Sequence, residues 1–448
     1  MKDKQEFATE VMERLREYMS VSTCNFTAVD LITNLLEDNG FNRLEEGEAW
    51  SVVPGGKYYL VKNDSAVFPF VAGTGDVAAE GFRIISAHSD SPCFKIKPNC
   101  EIYGDGGIVS LNVEKYGGGI LYTWFDRPLS AAGRVMLRGE DPLHPQTRII
   151  DFRMPFAVIP HLAIHFNRGV NEGNPLSVQK DMKPVVGYFD DERIAEFRKS
   201  GGVVRRMILD CLNYGVENSV RMEDILDYEL SLYPVAEPQR VGINGEFFQS
   251  GRIDDLSMAF AGLEALLGTA DTPCAATRVL AVFDNEETGS ATKQGAHSPV
   301  LRHIFKRICL ATGDPEAFYR ALANTFMISA DDAHAWHPNY NEKYDPTNHP
   351  VVGGGPVVKI NANCKYMTDA NGAAVFHSLC DKAGVRMQYF VNHSDVAGGS
   401  TLGNISSVQL DIPGVDVGCA IWAMHSAAET MAASDHVDMV RVFIEFFS

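Results

Sequence analysis

The chain has 448 residues, of which 45% are hydrophobic and 22% are charged. This composition is typical of a globular protein, and the length predicts two or three domains rather than one core. The formal net charge of −19 argues against a nucleic-acid partner, because an acidic surface repels phosphate groups. The sequence has no apolar run of about 18 residues, the length needed to span a membrane, so we expect no membrane partner.

The first segment of the chain, MKDKQEFATEVMERLREYMS, is charged throughout. It lacks the apolar core of a signal peptide, so we expect a cytoplasmic location. Phe7, Val11, Leu15 and Met19 recur at helical spacing and predict an N-terminal helix. The nine cysteines are scattered and include no C-x-x-C pair. This argues against a disulfide framework or a thiolate zinc site and fits a reducing compartment.

Four segments share one pattern, in which an apolar, strand-like run ends in polar residues. In chain order they are FRIISAHSD, TRVLAVFDNEE, NTFMISADDAH and CAIWAMHS. Helical patterns at 256–268 and 298–311 precede the second and the third run. Apolar strands that alternate with helices predict an α/β fold, in which helices cover both faces of a mostly parallel sheet. In such sheets, ligands bind beyond the carboxyl ends of the strands.

Between about residues 94 and 240 the pattern changes to short strand-like runs separated by glycine and proline. The stretch DYELSLYPV, residues 227–235, alternates apolar and polar residues with a period of two. We therefore expect an α/β domain formed by residues 1–93 and 241–448. A β-rich domain, residues 94–240, is expected to be inserted into it.

The polar ends of the strand-like runs carry residues with the chemistry of metal ligands, together with one aspartate from GRIDDLS. In chain order, the candidate ligands are His88, Asp254, Glu287, Asp331 and His425. Imidazole and carboxylate ligands together suit Zn(II), with Co(II) or Mn(II) as alternatives. The set divides between two metal ions if Asp254 bridges them, with His88 and Asp331 on one ion and Glu287 and His425 on the other. Three carboxylates, two divalent cations and one hydroxide sum to zero charge, which favours burial of the cluster.

Two acidic residues remain beside the candidate ligands. We expect Glu286 to be the general base, which takes a proton from the attacking water and passes it to the leaving amine. Asp90 lies two residues after His88 and is expected to accept the second imidazole N–H, which fixes the tautomer. Taken singly, each of these residues is more often structural, as a buried histidine or a capping carboxylate. The hypothesis therefore depends on the ordered set.

The order H-x-D, D, EE, D, H resembles that of the di-zinc exopeptidases, and longer blocks resemble the aspartyl aminopeptidase family. These blocks are AHSDSPCFKIKP, YGGGILYTWFDRPLSAAGRV, IPHLAIHFNR, FDNEETGS and FMISADDAHAWHPNY. The resemblance implies removal of single N-terminal residues from peptides, preferably acidic ones, with the ligands and the base named above. It implies two zinc ions per subunit, dimerisation through the inserted domain and a tetrahedral dodecamer. It also implies a cis peptide bond between Asp254 and Asp255.

The resemblance assigns three further residues. His165, in IPHLAIH, matches a histidine that assists the active site of an adjacent subunit. The run is β-like and would place His161 and His165 on one face. Lys359 and Tyr366, in VVGGGPVVKINANCKY, match the substrate pocket, where Lys359 would meet an acidic side chain. The alternative is that Lys359 is a surface lysine at a strand edge.

Other functions fit parts of the same pattern. A metal-dependent deacylase or carboxypeptidase has the same ligand order, but it needs an arginine that holds the substrate carboxylate. An aminopeptidase of broad specificity would use the same residues without an acidic preference. A metal-stabilised assembly protein without catalytic activity would not need Glu286.

Overall fold

The computed structural model describes residues 4–215 and 220–448. The chain forms two compact units. Unit 1 comprises Met1–Asp90, Pro238–Met424 and Glu429–Ser448, and unit 2 comprises Ser91–Glu237 and His425–Ala428. Within the described ranges, no helix combines the length and the apolar character that crossing a membrane requires.

The helices and strands are numbered in chain order. The α-helices of the described residues are α1 (Lys4–Val21), α2 (Asn25–Asp38), α3 (Val77–Glu80), α4 (Val178–Asp181), α5 (Asp191–Lys199), α6 (Val203–Leu212), α7 (Ile253–Thr269), α8 (Val300–Leu310), α9 (Ala317–Ala323), α10 (Ala370–Ala383), α11 (Leu402–Leu410) and α12 (Ala433–Phe447). The β-strands are β1 (Asn42–Arg43), β2 (Lys57–Lys62), β3 (Ala66–Val71), β4 (Phe82–His88), β5 (Cys93–Tyr103), β6 (Ile108–Tyr116), β7 (Pro128–Leu137), β8 (Gln146–Asp151), β9 (Ala157–Val158), β10 (Val185–Tyr188), β11 (Ile225–Pro234), β12 (Gln239–Val241), β13 (Phe247–Ser250), β14 (Thr277–Phe283), β15 (Phe326–Ala330), β16 (Ala333–His334), β17 (Val357–Ile360), β18 (Gln388–Val391), β19 (Gly414–Gly418), β20 (Ala420–Trp422) and β21 (Glu429–Ala432).

A nine-stranded sheet organises unit 1, in the order β1-β2-β3-β14-β4-β15-β19-β17-β18. Its centre is parallel, because β4 pairs in parallel with both β14 and β15, and β15 pairs in parallel with β19. Antiparallel pairs, β3 with β14 and β17 with β19, flank this centre. The predicted α/β class is confirmed. Its consequence for the site is that β4, β14 and β15 end at the same edge of the sheet.

The two faces of this sheet are covered by different helices. Ile85 and Ala87 of β4 pack into a core that includes α1, α2, α7, α10 and α12. Phe82 and Ile84 of the same strand pack on the opposite side, in a core with α8 and α9. Since both faces are covered, the central strands are apolar on both sides, and β14 is buried along its whole length.

The strand before His425 differs from the expectation. Of the run CAIWAMHS, only Ala420–Trp422 forms a strand, β20, and it lies in a five-stranded sheet of order β12-β13-β21-β20-β16. The preceding strand, β19, belongs to the main sheet, so the chain is divided between two sheets here. The division falls at Cys419, whose N–H donates to the carboxylate of Asp332 at 3.1 Å instead of to a neighbouring strand. A side-chain acceptor therefore interrupts the ladder at this point.

Unit 2 contains a seven-stranded antiparallel sheet in the order β11-β5-β6-β10-β9-β7-β8. An additional pairing of β11 with β7 closes the sheet on itself. The alternating stretch DYELSLYPV forms most of β11. Its inward-facing residues share a buried cluster with β5, β6 and β7, which Val204 and Ile208 of α6 also join.

The run IPHLAIH is not a strand, contrary to the β-like pattern. Strand β9 ends at Val158, and Pro160 follows, which has no N–H for a ladder hydrogen bond. His165 lies in a turn, where the Phe166 N–H donates to the Ala163 carbonyl at 2.9 Å. The face shared by His161 and His165 therefore does not exist, and His165 is exposed on a loop.

A histidine buried in α12 links the stability of unit 1 to pH. His436 has no exposed surface, and neither ring nitrogen has a hydrogen-bond partner among the described residues. Its ring stacks on Phe260 at a centroid distance of 5.9 Å. Burial lowers the pKa of His436 to about 3, whereas an unfolded histidine titrates near 6.5. The unfolded state therefore takes up the proton first, so the contribution of His436 is fully present above about pH 6.5 and is lost as the pH falls.

We expect the variant His436→Phe to be less sensitive to acid than the wild-type protein. His436 should cost the wild type up to about 1.4 kcal/mol of unfolding free energy for each pH unit below about 6.5, and phenylalanine keeps the ring without the titration. Urea midpoints between about pH 5 and pH 7 would be compared. His377→Phe is the matched control, since His377 on α10 is exposed. Parallel pH profiles for wild type and His436→Phe would contradict this account.

Candidate metal centre

Three turns at one edge of the main sheet carry candidate ligands of unit 1. His88 is the last residue of β4, the single helical turn Glu286–Thr288 follows β14, and Asp331 directly follows β15. Because these three strands are parallel neighbours, their carboxyl ends meet. Asp254 reaches the same place from the first turn of α7. Its peptide bond to Asp255 is cis, as the resemblance implies.

Four buried residues form the core of this site. Nitrogen or oxygen atoms of His88, Asp254, Asp255 and Asp331 all lie within 4.8 Å of one another. A second group, His88 with Glu286 and Glu287, meets the same limit. Carboxylates this close and this buried repel one another strongly, so the ionised cluster needs cations.

The donor set fits zinc. Imidazole and carboxylate are common zinc ligands, and the buried Oδ1 of Asp255 has no hydrogen-bond partner among the described residues. Burial, with repulsion from nearby carboxylates such as Asp331, raises the pKa of Glu286 to about 8. Burial also raises the pKa of Asp255 well above its usual range, although His88 opposes this. A divalent cation reverses this tendency, because it stabilises the ionised carboxylates.

Asp90 ties two of the turns together. Its carboxylate accepts the backbone N–H of Glu286 at 3.1 Å and that of Glu287 at 3.2 Å. His88 Nδ1 lies 2.9 Å from the Asp90 backbone carbonyl and 3.4 Å from its carboxylate. The nearer acceptor for the imidazole is thus the carbonyl and not the expected carboxylate. With Nδ1 held there, Nε2 lies 3.4 Å from Oδ1 of Asp254.

Sequence reasoning missed three buried acids around these ligands. Asp255 accepts the backbone N–H of His88 at 3.0 Å, and Glu429 accepts that of Asp254 at 3.1 Å. Asp332 accepts a hydroxyl at 2.8 Å and a backbone N–H at 3.1 Å. Asp255 and Asp332 are the second members of two of the three Asp-Asp pairs in the chain, a signal that was available in the sequence. Glu429 lies in no motif.

Lys359 is buried beside the ligands. It is only 3% exposed, so the alternative of a surface lysine is wrong. Its ammonium group lies 3.4 Å from a carboxylate oxygen of Asp331 and donates to the Asp332 carbonyl at 3.2 Å. It also lies 5.5 Å from the centre of the Tyr366 ring. Although burial opposes it, the charge of Asp331 raises the pKa of Lys359, so the lysine is a fixed positive charge.

Two candidate residues belong to unit 2. His425 begins the short segment His425–Ala428 of that unit, and its Nδ1 lies 3.2 Å from the Gly118 carbonyl oxygen. His165 lies in the exposed turn described above. Their parts in the active site stay predictions.

Comparison with known proteins identifies the family. Residues 18–447 match the family described as aminopeptidase I zinc metalloprotease, M18. The chain belongs to the M18 family. A probable M18 family aminopeptidase 2 of Clostridium novyi (strain NT) is 45% identical over 449 residues and covers 100% of both chains. M18 membership makes the chain a zinc-dependent aminopeptidase, which favours this activity over the deacylase and carboxypeptidase alternatives.

Solved structures of other proteins have the same fold. The structure of an Ape4 and Nbr1 complex matches 99% of this chain and 86% of the compared chain, with a TM-score of 0.93 and 31% identity. A dodecamer of mApe1 from S. cerevisiae matches 99% of this chain and 96% of the compared chain, with a TM-score of 0.82 and 25% identity.

We expect Asp90→Asn to weaken zinc binding by about 10–100-fold, the usual cost of losing a group that orients metal ligands. In asparagine one of the two carboxylate oxygens becomes an NH₂ group, which cannot accept the backbone N–H that this oxygen accepts in the wild type. Competition with a chromogenic chelator would measure the affinity. Asp76→Asn is the control, because Asp76 accepts the Ala78 N–H at the start of α3, away from the ligands. Equal zinc affinities for the two variants would show that Asp90 does not position the site.

Proposed function

We propose that this M18 protein is an aspartyl aminopeptidase, which removes single N-terminal residues from peptides and prefers Asp or Glu. The observation that carries the proposal is the cluster of acids and one histidine in unit 1, which includes Glu286, a glutamate that is not a candidate ligand. The positive charge of Lys359 lies beside this cluster. The acids suit metal-assisted hydrolysis, and the lysine suits a substrate with a negative side chain.

The candidate ligands divide between two zinc ions. His88, Asp254 and Asp331 would hold one ion, and Asp254, Glu287 and His425 would hold the other. When bound, such ions lower the pKa of water and polarise the peptide carbonyl. The ligand set supports a count of two, because Asp254 has two oxygens and each remaining pair combines one imidazole with one carboxylate.

Glu286 is the general base in this mechanism. It follows the αL residue Asn285 and is half-buried, and its backbone is held by the Asp90 carboxylate. From there it takes the proton of the attacking water and delivers it to the leaving amine. Asp90 fixes the position of Glu286 relative to the ligand Glu287, because its carboxylate accepts the backbone N–H of each residue.

We expect Glu286→Gln to retain zinc but to lose kcat by about 10²–10⁴-fold, the usual contribution of general-base catalysis. The amide has the size of the acid but cannot accept the proton. Glu287→Gln is the matched comparison, and it should lose zinc as well as activity. Zinc content and turnover of an aminoacyl anilide would be measured on the same samples. Near-normal turnover of fully loaded Glu286→Gln would remove Glu286 from the mechanism.

The acidic preference is assigned to Lys359, with Tyr366 as a wall of the pocket. The aromatic ring lies 5.5 Å from the ammonium, and both side chains are at least nine-tenths buried. A substrate carboxylate that reaches this ammonium would form a charge-assisted hydrogen bond in a poorly solvated place, which is the strong kind.

We expect Lys359→Met to lower kcat/KM for N-terminal Glu relative to N-terminal Leu by at least about 10-fold, the scale of one hydrogen bond to a charged group. Glu and Leu anilides would be compared, and zinc content would be checked because Lys359 also contacts Asp331. Lys365→Met, which changes an exposed lysine, is the control. Equal losses on both substrates would show a broad-specificity aminopeptidase in which Lys359 only supports Asp331.

The assembly is proposed to be a tetrahedral dodecamer built from dimers, with unit 2 as the dimerisation domain. The solved S. cerevisiae mApe1 dodecamer supports the subunit number. The loop that carries His165 exposes the apolar side chains of Leu162, Ile164 and Phe166, and Phe166 is 82% exposed. Exposed apolar groups of this kind favour association. In the dimer, His165 would donate a hydrogen bond to the oxyanion formed in the facing subunit. The cytoplasmic location stays a prediction.

A further inference from the structure

We propose that the junction between α1 and α2, residues 22–25, is a positioning element of the metal centre. The inference rests on the proposed zinc-dependent function. The junction contacts two turns of unit 1 that carry candidate ligands, namely residues 252–255 and residues 284–287. Neither contact involves a metal ligand itself.

The first contact is made by Arg252, two residues before Asp254. Its Nε donates to the Ser22 carbonyl at 3.0 Å, and one terminal nitrogen lies 3.5 Å from the Met19 carbonyl oxygen. Helix α1 ends at Val21, and the last carbonyls of a helix have no partner within the helix. The guanidinium therefore satisfies the end of α1, where a positive charge also suits the helix dipole.

The second contact is made by Asn25, the first residue of α2. Its amide nitrogen lies 3.2 Å from each carboxylate oxygen of Asp284, two residues before Glu286. Asn25 is 7% exposed and Asp284 is 2% exposed. A carboxylate buried to this degree needs donors, so the start of α2 fixes where the turn after β14 begins.

Both turns contain a residue other than glycine with positive φ, 61° at Arg252 and 63° at Asn285. Positive φ is uncommon for residues other than glycine, although asparagine tolerates it better than arginine, so contacts that favour it matter most at Arg252. The junction contacts Arg252 directly, and it contacts Asp284, the neighbour of Asn285. One four-residue segment thus contacts both turns, and it would help to hold Asp254 and Glu287 in place for a bound ion.

The test compares zinc affinity in Arg252→Met and Asn25→Ala with that of the wild type, by competition with a chelator. Each variant should bind zinc about 10–100-fold more weakly, the usual effect of losing an outer contact of a metal site. The value of kcat should fall in parallel while KM changes little. Arg252→Lys, which keeps the charge and one donor to the carbonyls, should recover most of the affinity.

Arg14→Met is the matched control. Arg14 joins the same helices, α1 and α7, through Glu264, with Nε 3.0 Å from a carboxylate oxygen, but it does not touch either turn. This control should lower the unfolding midpoint without changing zinc affinity. Zinc affinities of Arg252→Met and Asn25→Ala that match those of wild type, or that weaken no more than in Arg14→Met, would overturn the inference.

Failure of this inference and failure of the proposed function would give different results. A wild-type protein that binds no zinc would contradict the proposed function, and the inference that rests on it would also be wrong. If Arg252→Met fails to fold, Asn25→Ala and Arg252→Lys decide the question. Wild-type zinc affinity in Asn25→Ala would then contradict the inference, and weakened affinity at an unchanged unfolding midpoint would support it.

Discussion

Repulsion among buried carboxylates is the constraint on which the structure of unit 1 depends. Six acids of the site gather at one edge of the main sheet, in the three pairs Asp254-Asp255, Glu286-Glu287 and Asp331-Asp332. The ammonium group of Lys359 is a positive partner close to them. Without further cations, burial drives such acids towards protonation, as the raised pKa values of Asp255 and Glu286 show. Divalent cations would stabilise the ionised carboxylates and so allow them to lie close together.

The chain answers this constraint with backbone donors. Asp90 accepts the Glu286 N–H, Asp255 accepts the His88 N–H and Glu429 accepts the Asp254 N–H. These acids therefore link the ligand-bearing turns to one another. A site built this way has its geometry set before any ion arrives. The α1–α2 junction adds contacts of the same kind, because Ser22 and Asn25 contact Arg252 and Asp284 in two of these turns. The same hydrogen bonds therefore stabilise unit 1 and position the candidate ligands.

Much of this arrangement could be predicted from the sequence, because it depends on local patterns. The apolar runs before His88, Glu286 and Asp331 predict parallel buried strands, and parallel strands bring their ends together. Helix α7 and helix α8 were equally clear from their periodicity. The grouping of His88, Asp254 and Asp331 follows from these elements and from the family resemblance.

The remainder depends on contacts between residues far apart in the chain. Glu429 lies in no motif, and its bond to the Asp254 N–H is visible only when β21 and α7 are placed in space. Between β19 and β20 the Cys419 N–H donates to Asp332, which lies 87 residues earlier in the chain. The β-like run around His165 was misleading because alternation alone does not supply a pairing strand, and Pro160 ends the ladder. The burial of Lys359 likewise depends on the sheet around it.

The central claim is that the carboxylate cluster exists to hold two zinc ions around Asp254. Crystals of the zinc-loaded protein, measured on both sides of the zinc absorption edge, would test it most directly. The account predicts two anomalous peaks in each subunit, one beside His88 and Asp331 and one beside Glu287 and His425, with Asp254 between them. Zinc-loaded crystals with no peak at Asp254, or with one peak that the other ligands do not share, would contradict the account.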